Sequence, residues 1–178
     1  MPLFLRVRQQ YQHPHDQKDA LQLGEKFGSP VKVNGTEFST FPSAAEINKA
    51  GIDDLRACGL GYRAKAVKAV ARAITSGQLD IDALKSAPYE EAKSELLQVY
   101  GIGNKIADCV LLFSLEKLDA FPIDVWIARA LAGHYRWLHK KKFGDKLTAH
   151  QYDELSGAAR KYFGRYAGAK FDRRKKHL

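Results

Sequence analysis

From Ser43 onward the apolar residues recur at helical spacing, and glycine interrupts that period at positions 51, 59, 61, 77, 101, 103 and 133. A chain of this kind cannot bury its apolar stripes in a large sheet, because strands need alternation with period two. It has to pack short helices against one another through tight glycine joints. The period predicts helices near 43 to 49, 52 to 57, 62 to 76, 88 to 98, 104 to 116, 124 to 135 and 149 to 162. Ahead of them, Asp16 is placed to cap a short helix that runs towards Phe27 and closes at Gly28. VKVNGTEF alternates about Asn34-Gly35, a pair suited to a two-residue type I′ turn, so one small hairpin is expected near residues 31 to 38. The fold class is therefore mainly α with one β-hairpin. A single helical domain over residues 16 to 168 is expected, between an irregular stretch at 1 to 15 and a basic tail at 169 to 178.

The 178 residues are 45% hydrophobic and 28% charged, which excludes a disordered chain and gives enough length for a real core. Twenty-nine Lys and Arg against 20 Asp and Glu leave a formal charge of +9, and the pI is near 9.5. Such a balance favours a polyanionic partner, nucleic acid first and an anionic membrane second. No stretch approaches the length of an apolar transmembrane run, and MPLFLRVRQQ is too short and polar for a secretory signal, so an intracellular protein is expected. The cysteines, Cys58 and Cys109, form no CxxC pair, which leaves no case for a disulfide framework or a zinc site.

The segment from Pro88 to Glu116 joins an amphipathic helix, the turn GIG and a second helix that begins NKIADC. Gly101 and Gly103 let the backbone approach a phosphate, and the amides of Ile102, Gly103 and Asn104 at the second helix's start point towards an anion. Those contacts would hold a nucleic-acid backbone without reading its sequence. An ordinary helix–turn–helix connection also uses glycine, and GxG alone does not decide between the two. Lys105 is a poor choice for stability, because the first helical turn carries the positive end of the dipole. Nineteen residues on, FPID places Asp124 at another helix start, where it reads as an N-cap and also as a rigidly aimed carboxylate.

GIGNKIADC followed by FPID resembles the signature of the helix-hairpin-helix, Gly/Pro-rich loop and aspartate superfamily of DNA glycosylases, and within it the 8-oxoguanine DNA glycosylase family. The resemblance runs over about residues 24 to 168 and takes in GEKFG, FPS, LRACGLGYRAKAV and FGRYAG in the family's order. It implies a helix-hairpin-helix glycosylase fold and a bifunctional enzyme of base excision repair. Lys105 would attack C1′ of the damaged nucleotide, displace the base, and leave a Schiff base that β-elimination converts to a strand nick. An ordinary lysine pKa of ~10.4 leaves the amine protonated at neutral pH, so a helix N-terminus and a dry pocket are expected to lower it. Asp124 would stabilise positive charge developing on the sugar.

The same resemblance assigns further roles. Tyr62 would fill the gap left by the extruded base, Arg63 would hydrogen-bond the orphaned cytosine, and Cys109 would pack against the flipped base. No cofactor is required, although the carbonyls of Leu97, Val99 and Ile102 fall where the family holds a monovalent cation, K+ or Na+, against a phosphate. Double-stranded DNA containing oxidised guanine or an abasic site is the implied partner, and a monomer without membrane association is expected.

Both ends depart from the family. A β-rich N-terminal domain normally precedes the helices, and an S-x-N-N-N-I-P stretch normally holds the cytosine; here Gln10 stands at the key Asn position and His15 at an Arg position. Read one base later, QQYQHPHDQKDALQL would become NNINIPTTKKMLFNL, which points to a shifted reading frame before about residue 24. At the other end Phe171 stands near the position of a base-reading Gln, and the RRKK run reads as a solvated tail with affinity for phosphate. Two other functions fit the sequence: a weakened remnant that binds DNA non-specifically through its hairpin, and a basic structural or RNA-binding module.

Overall fold

The computed structural model describes residues 14–135 and 147–168. In chain order the elements are α1 (Pro14–Phe27), β1 (Pro30–Val33), β2 (Thr36–Ser39), α2 (Ala44–Lys49), α3 (Ile52–Leu55), α4 (Ala64–Thr75), α5 (Ile81–Ser86), α6 (Tyr89–Leu97), α7 (Asn104–Phe113), α8 (Val125–His134) and α9 (Ala149–Phe163). They fall into two compact units. Of the described residues, one comprises those up to Ala83 with Gln98–Gly101, and the other Leu84–Leu97 with those from Ile102 onward.

In the first unit, β1 and β2 pair antiparallel in the register Val31↔Phe38 and Val33↔Thr36. Asn34 and Gly35 close the turn with φ of +51° and +79°, the two left-handed residues that a type I′ turn demands. Ser43 caps α2 in a reciprocal box with Glu46, satisfying two amides that the helix start leaves without partners. Leu23, Ile47 and Leu55 form the core of this unit with Ala64 and Ala71 of α4. The Lys68 ammonium group fastens α4 to the end of α2 by donating to the carbonyls of Asn48 and Ala50. Gly101 has φ of +87°, and a Cβ there would stand 2.2 Å from the Cβ of Ala66, so the hairpin backbone reaches α4 only without a side chain.

In the second unit, Phe121, Ile123, Leu131, Leu155 and Phe163 form a core in which the Phe121 and Phe163 rings stack at 5.7 Å. Leu96 of α6 and Leu111 of α7 are buried where these two helices pack together. The short segment from Phe121 to Ile123 is held against α9, because Ser156 donates its hydroxyl to the Phe121 carbonyl at 3.3 Å.

Three boundaries differ from the pattern of the sequence. α1 starts at Pro14, two residues before the expected cap at Asp16, because proline's fixed φ suits a first helical turn. The helix expected at 52 to 57 stops at Leu55 and gives way to a wide turn, Arg56–Leu60, in which Gly59 has φ of +85°. α7 ends at Phe113 and not near 116, since Glu116 takes a left-handed φ of +56° and the chain turns back there. α5 was not expected at all. Asp80 starts it by accepting from the amides of Asp82 and Ala83 at 2.9 and 3.0 Å, and Leu84 is its one buried apolar side chain, too few to show a period. Residues 1 to 13, with Gln10, lie outside the described residues, as do Phe171 and the basic tail.

Candidate active site and its buried support

Gly103 stands at the N-cap of α7 with extended backbone and no side-chain capping bond, so no side chain takes up the first-turn amides of this helix. Ala107 closes the first helical hydrogen bond onto the Gly103 carbonyl at 2.9 Å. Ile102 is buried and anchors the turn, Gly101 and Gly103 are exposed, and Asn104 is half-buried. Lys105, the second residue of α7, is exposed, and among the described residues its ammonium group makes no hydrogen bond or ion pair. Among the described residues, none closes the dry pocket expected around it.

Asp124 is the N-cap of α8, and its carboxylate accepts from the Ile127 amide at 2.7 Å. It is half-buried, and the capping bond fixes the direction of the carboxylate. Lys105 and Asp124 belong to the same compact unit. Cys109, one turn beyond Lys105 on α7, is half-buried in that unit as well.

Tyr62 and Arg63 lie in the other unit, in the single 3₁₀ turn Gly61–Arg63 that opens α4. Tyr62 is 91% exposed, an arrangement with no packing value in the free chain. Arg63 is not loose, since its guanidinium pairs with the carboxylate of Asp19 on α1. Of the three carbonyls in the implied cation site, Leu97 and Ile102 belong to the second unit and Val99 to the first.

Sequence reasoning missed the polar cluster beneath α7. Asp108, three residues after Lys105, points inward and is 0% exposed. Its carboxylate accepts from the Tyr89 hydroxyl at 2.6 Å and from the Tyr152 hydroxyl at 2.7 Å, and the Lys93 ammonium lies 3.6 Å away. Lys93 also bonds Asp153 at 3.3 Å, and the Arg160 guanidinium lies 3.5 Å from the centre of the Tyr89 ring while pairing with Glu90 and Asp119. Burial pushes the Asp108 carboxyl above the usual carboxylate range, against the opposing pull of Tyr89, Lys93 and Tyr152. Burial first and the nearby Asp108 charge second push both tyrosine hydroxyls up, so each keeps its proton and donates it. The Tyr152 hydroxyl also accepts from the Ile123 amide at 3.1 Å. The signal for this cluster was in the sequence: an aspartate in the same stripe as Ala107, Leu111 and Leu112 needs buried partners.

No family model matches the chain. It is 36% identical over 124 residues to a probable N-glycosylase/DNA lyase of Methanothermobacter thermautotrophicus, covering 59% of this chain and 39% of that protein. Over 140 residues it is 31% identical to an N-glycosylase/DNA lyase of Arabidopsis thaliana, covering 76% and 38% of the two. Among solved structures it is similar to the 8-oxoguanine glycosylase/lyase of Clostridium acetobutylicum in complex with double-stranded DNA that contains cytosine opposite 8-oxoguanine. There the TM-score is 0.78 at 25% identity, covering 99% of this chain and 59% of the other. The chain thus spans about two fifths of the length of these curated relatives.

Proposed function

Because the chain belongs to the 8-oxoguanine DNA glycosylase family, we propose that it removes 8-oxoguanine from duplex DNA and nicks the abasic site that results. The observation that carries this reading is the placement of Lys105 at the uncapped start of α7, in one compact unit with a carboxylate that is itself fixed as a helix cap.

In this mechanism the neutral Nζ of Lys105 attacks C1′, the N-glycosidic bond breaks, and the base leaves with its electron pair and takes up a proton. The Nζ–C1′ bond becomes an iminium after the sugar ring opens. Loss of a C2′ proton then expels the 3′ phosphate and cuts the strand. Asp124 offsets the positive charge that develops on the sugar and moves protons between these steps. Lys105 is exposed among the described residues, and DNA closing over it would exclude water from the reacting groups. Cys109 lines the place of the extruded base, Tyr62 fills the gap in the duplex, and Arg63 meets the orphaned cytosine while Asp19 holds its guanidinium in one orientation. The free amides from Gly101 to Asn104 hold a phosphate. The chain works where the genome is, in a nucleoid or a nucleus.

Borohydride trapping on two duplexes tests the reading, one with an abasic site and one with 8-oxoguanine opposite cytosine. Trapping on both supports the full activity. Trapping on the abasic duplex alone means that the chemistry survives without base recognition, in keeping with the altered ends. Trapping on neither, with binding retained, leaves the remnant that only grips DNA.

A further inference from the structure

We propose that Tyr152 is a positioning residue for this chemistry: its hydroxyl ties the helix that carries Lys105 to the segment that carries Asp124. The proposal rests on the reading of Lys105 as the nucleophile. One phenolic oxygen donates to Asp108 Oδ2 at 2.7 Å and accepts from the Ile123 amide at 3.1 Å. Asp108 is three residues beyond Lys105 on a single helix, and Ile123 is the residue before Asp124. The two reacting groups, 19 residues apart in the chain, are thus joined through a third element, α9, by two hydrogen bonds.

Several features make this oxygen hard to replace. Ile123 is 3% exposed, so its amide needs a partner inside the protein. Pro122 has no N–H to offer, and α9 therefore grips the segment at its two ends, through Ser156 on the Phe121 carbonyl and Tyr152 on the Ile123 amide. Residues 152 and 156 are four apart and share one face of α9. Tyr152 is itself buried beside Leu155, and the Lys93 ammonium stands 5.2 Å from the centre of its ring, so the phenol has little freedom to move. A buried carboxylate is a costly way to fill a core position, and apolar residues of similar volume often stabilise more. What a satisfied polar cluster adds is a single geometry, and a displacement of about 1 Å between reacting groups slows a reaction by about a hundredfold.

Tyr89 provides the control. Its hydroxyl bonds the other oxygen of Asp108, yet no bond from it to the Ile123 segment is found among the described residues. Tyr89→Phe and Tyr152→Phe each remove one donor from the same carboxylate, and only Tyr152→Phe cuts the link to Asp124.

The test measures borohydride trapping on an abasic duplex at saturating DNA, in single turnover, with the 178-residue chain and both variants, well below their melting temperatures. The proposal expects Tyr152→Phe to trap at least about tenfold more slowly, Tyr89→Phe to stay within about threefold of the parent, and both to bind the duplex within about twofold of it. Trapping by Tyr152→Phe at the parent rate overturns the proposal, as does an equal loss in the two variants that follows their melting temperatures. If Tyr152→Phe does not fold, Asp108→Ala takes its place, since it removes both oxygens to which the hydroxyls donate and so cuts the Tyr152 link from the α7 side. It is expected to trap at least about tenfold more slowly, and the parent rate would again refute the link. A parent chain that forms no adduct removes the lysine reading itself, an outcome distinct from a parent that traps and a Tyr152→Phe that traps equally well.

Discussion

At the scale of single residues, the proposed mechanism gives Asp124 a second task beside its cap, and substitution can separate the two. Asn at 124 keeps an oxygen for the Ile127 amide and so keeps the cap, but it has no charge to set against the developing cation on the sugar. Asp124→Asn is therefore expected to melt close to the parent while trapping about a hundredfold more slowly, read from a thermal melt and a single-turnover assay side by side. Asp108 gives a pH prediction. Its carboxyl holds a proton to higher pH in the folded chain than in the unfolded one, so above the ordinary carboxylate value the folded chain binds more protons and stability falls as pH rises. Asn at 108 does not titrate. The stability of the parent minus that of Asp108→Asn should thus be greatest at the acid end and decline to a plateau, measured by urea unfolding between about pH 4 and pH 8. A difference that is flat or grows with pH would contradict the assignment. Lys105 and Asp124 were legible in the sequence because a glycine turn and a Pro-containing bend announce helix starts nearby. For Asp108 the stripe of α7 announces a buried carboxylate but not its partners, because Tyr89 and Tyr152 stand 19 and 44 residues away and no local period brings them together.

At the scale of elements, the glycine joints decide how closely the helices meet. Gly101 and Gly35 both have left-handed φ, but a Cβ at 101 would overlap Ala66 while one at 35 would meet nothing within 4 Å. Gly35→Ala is expected to cost about 1 kcal/mol, the conformational strain alone, and Gly101→Ala at least about 2 to 3 kcal/mol more, since strain and overlap add there. Denaturant unfolding of the two variants checks the order, and equal losses would mean that the hairpin does not sit against α4. The hairpin and most helices were readable from period and caps, Ser43 with Glu46 among the plainest. The kink at Arg56–Leu60 and the short α5 were not, because a wide turn has no periodic signature and six residues with one buried leucine barely have a stripe.

At the scale of the whole molecule, the charge of +9 would set the character of the proposed DNA binding. Affinity for an abasic duplex should fall linearly in a plot of log affinity against log salt, with a slope of about −0.9 for each phosphate neutralised. Lys105→Gln removes one cation from the site, so its slope should change by no more than about one unit while its chemistry is lost. The measurement that bears most directly on the mechanism is peptide mapping, by mass, of the adduct formed when borohydride reduces the mixture of this chain and an abasic duplex. One adduct per chain on the peptide containing Lys105, absent from Lys105→Gln, is the predicted result. An adduct on any other amine, or one that persists undiminished in Lys105→Gln, would contradict it.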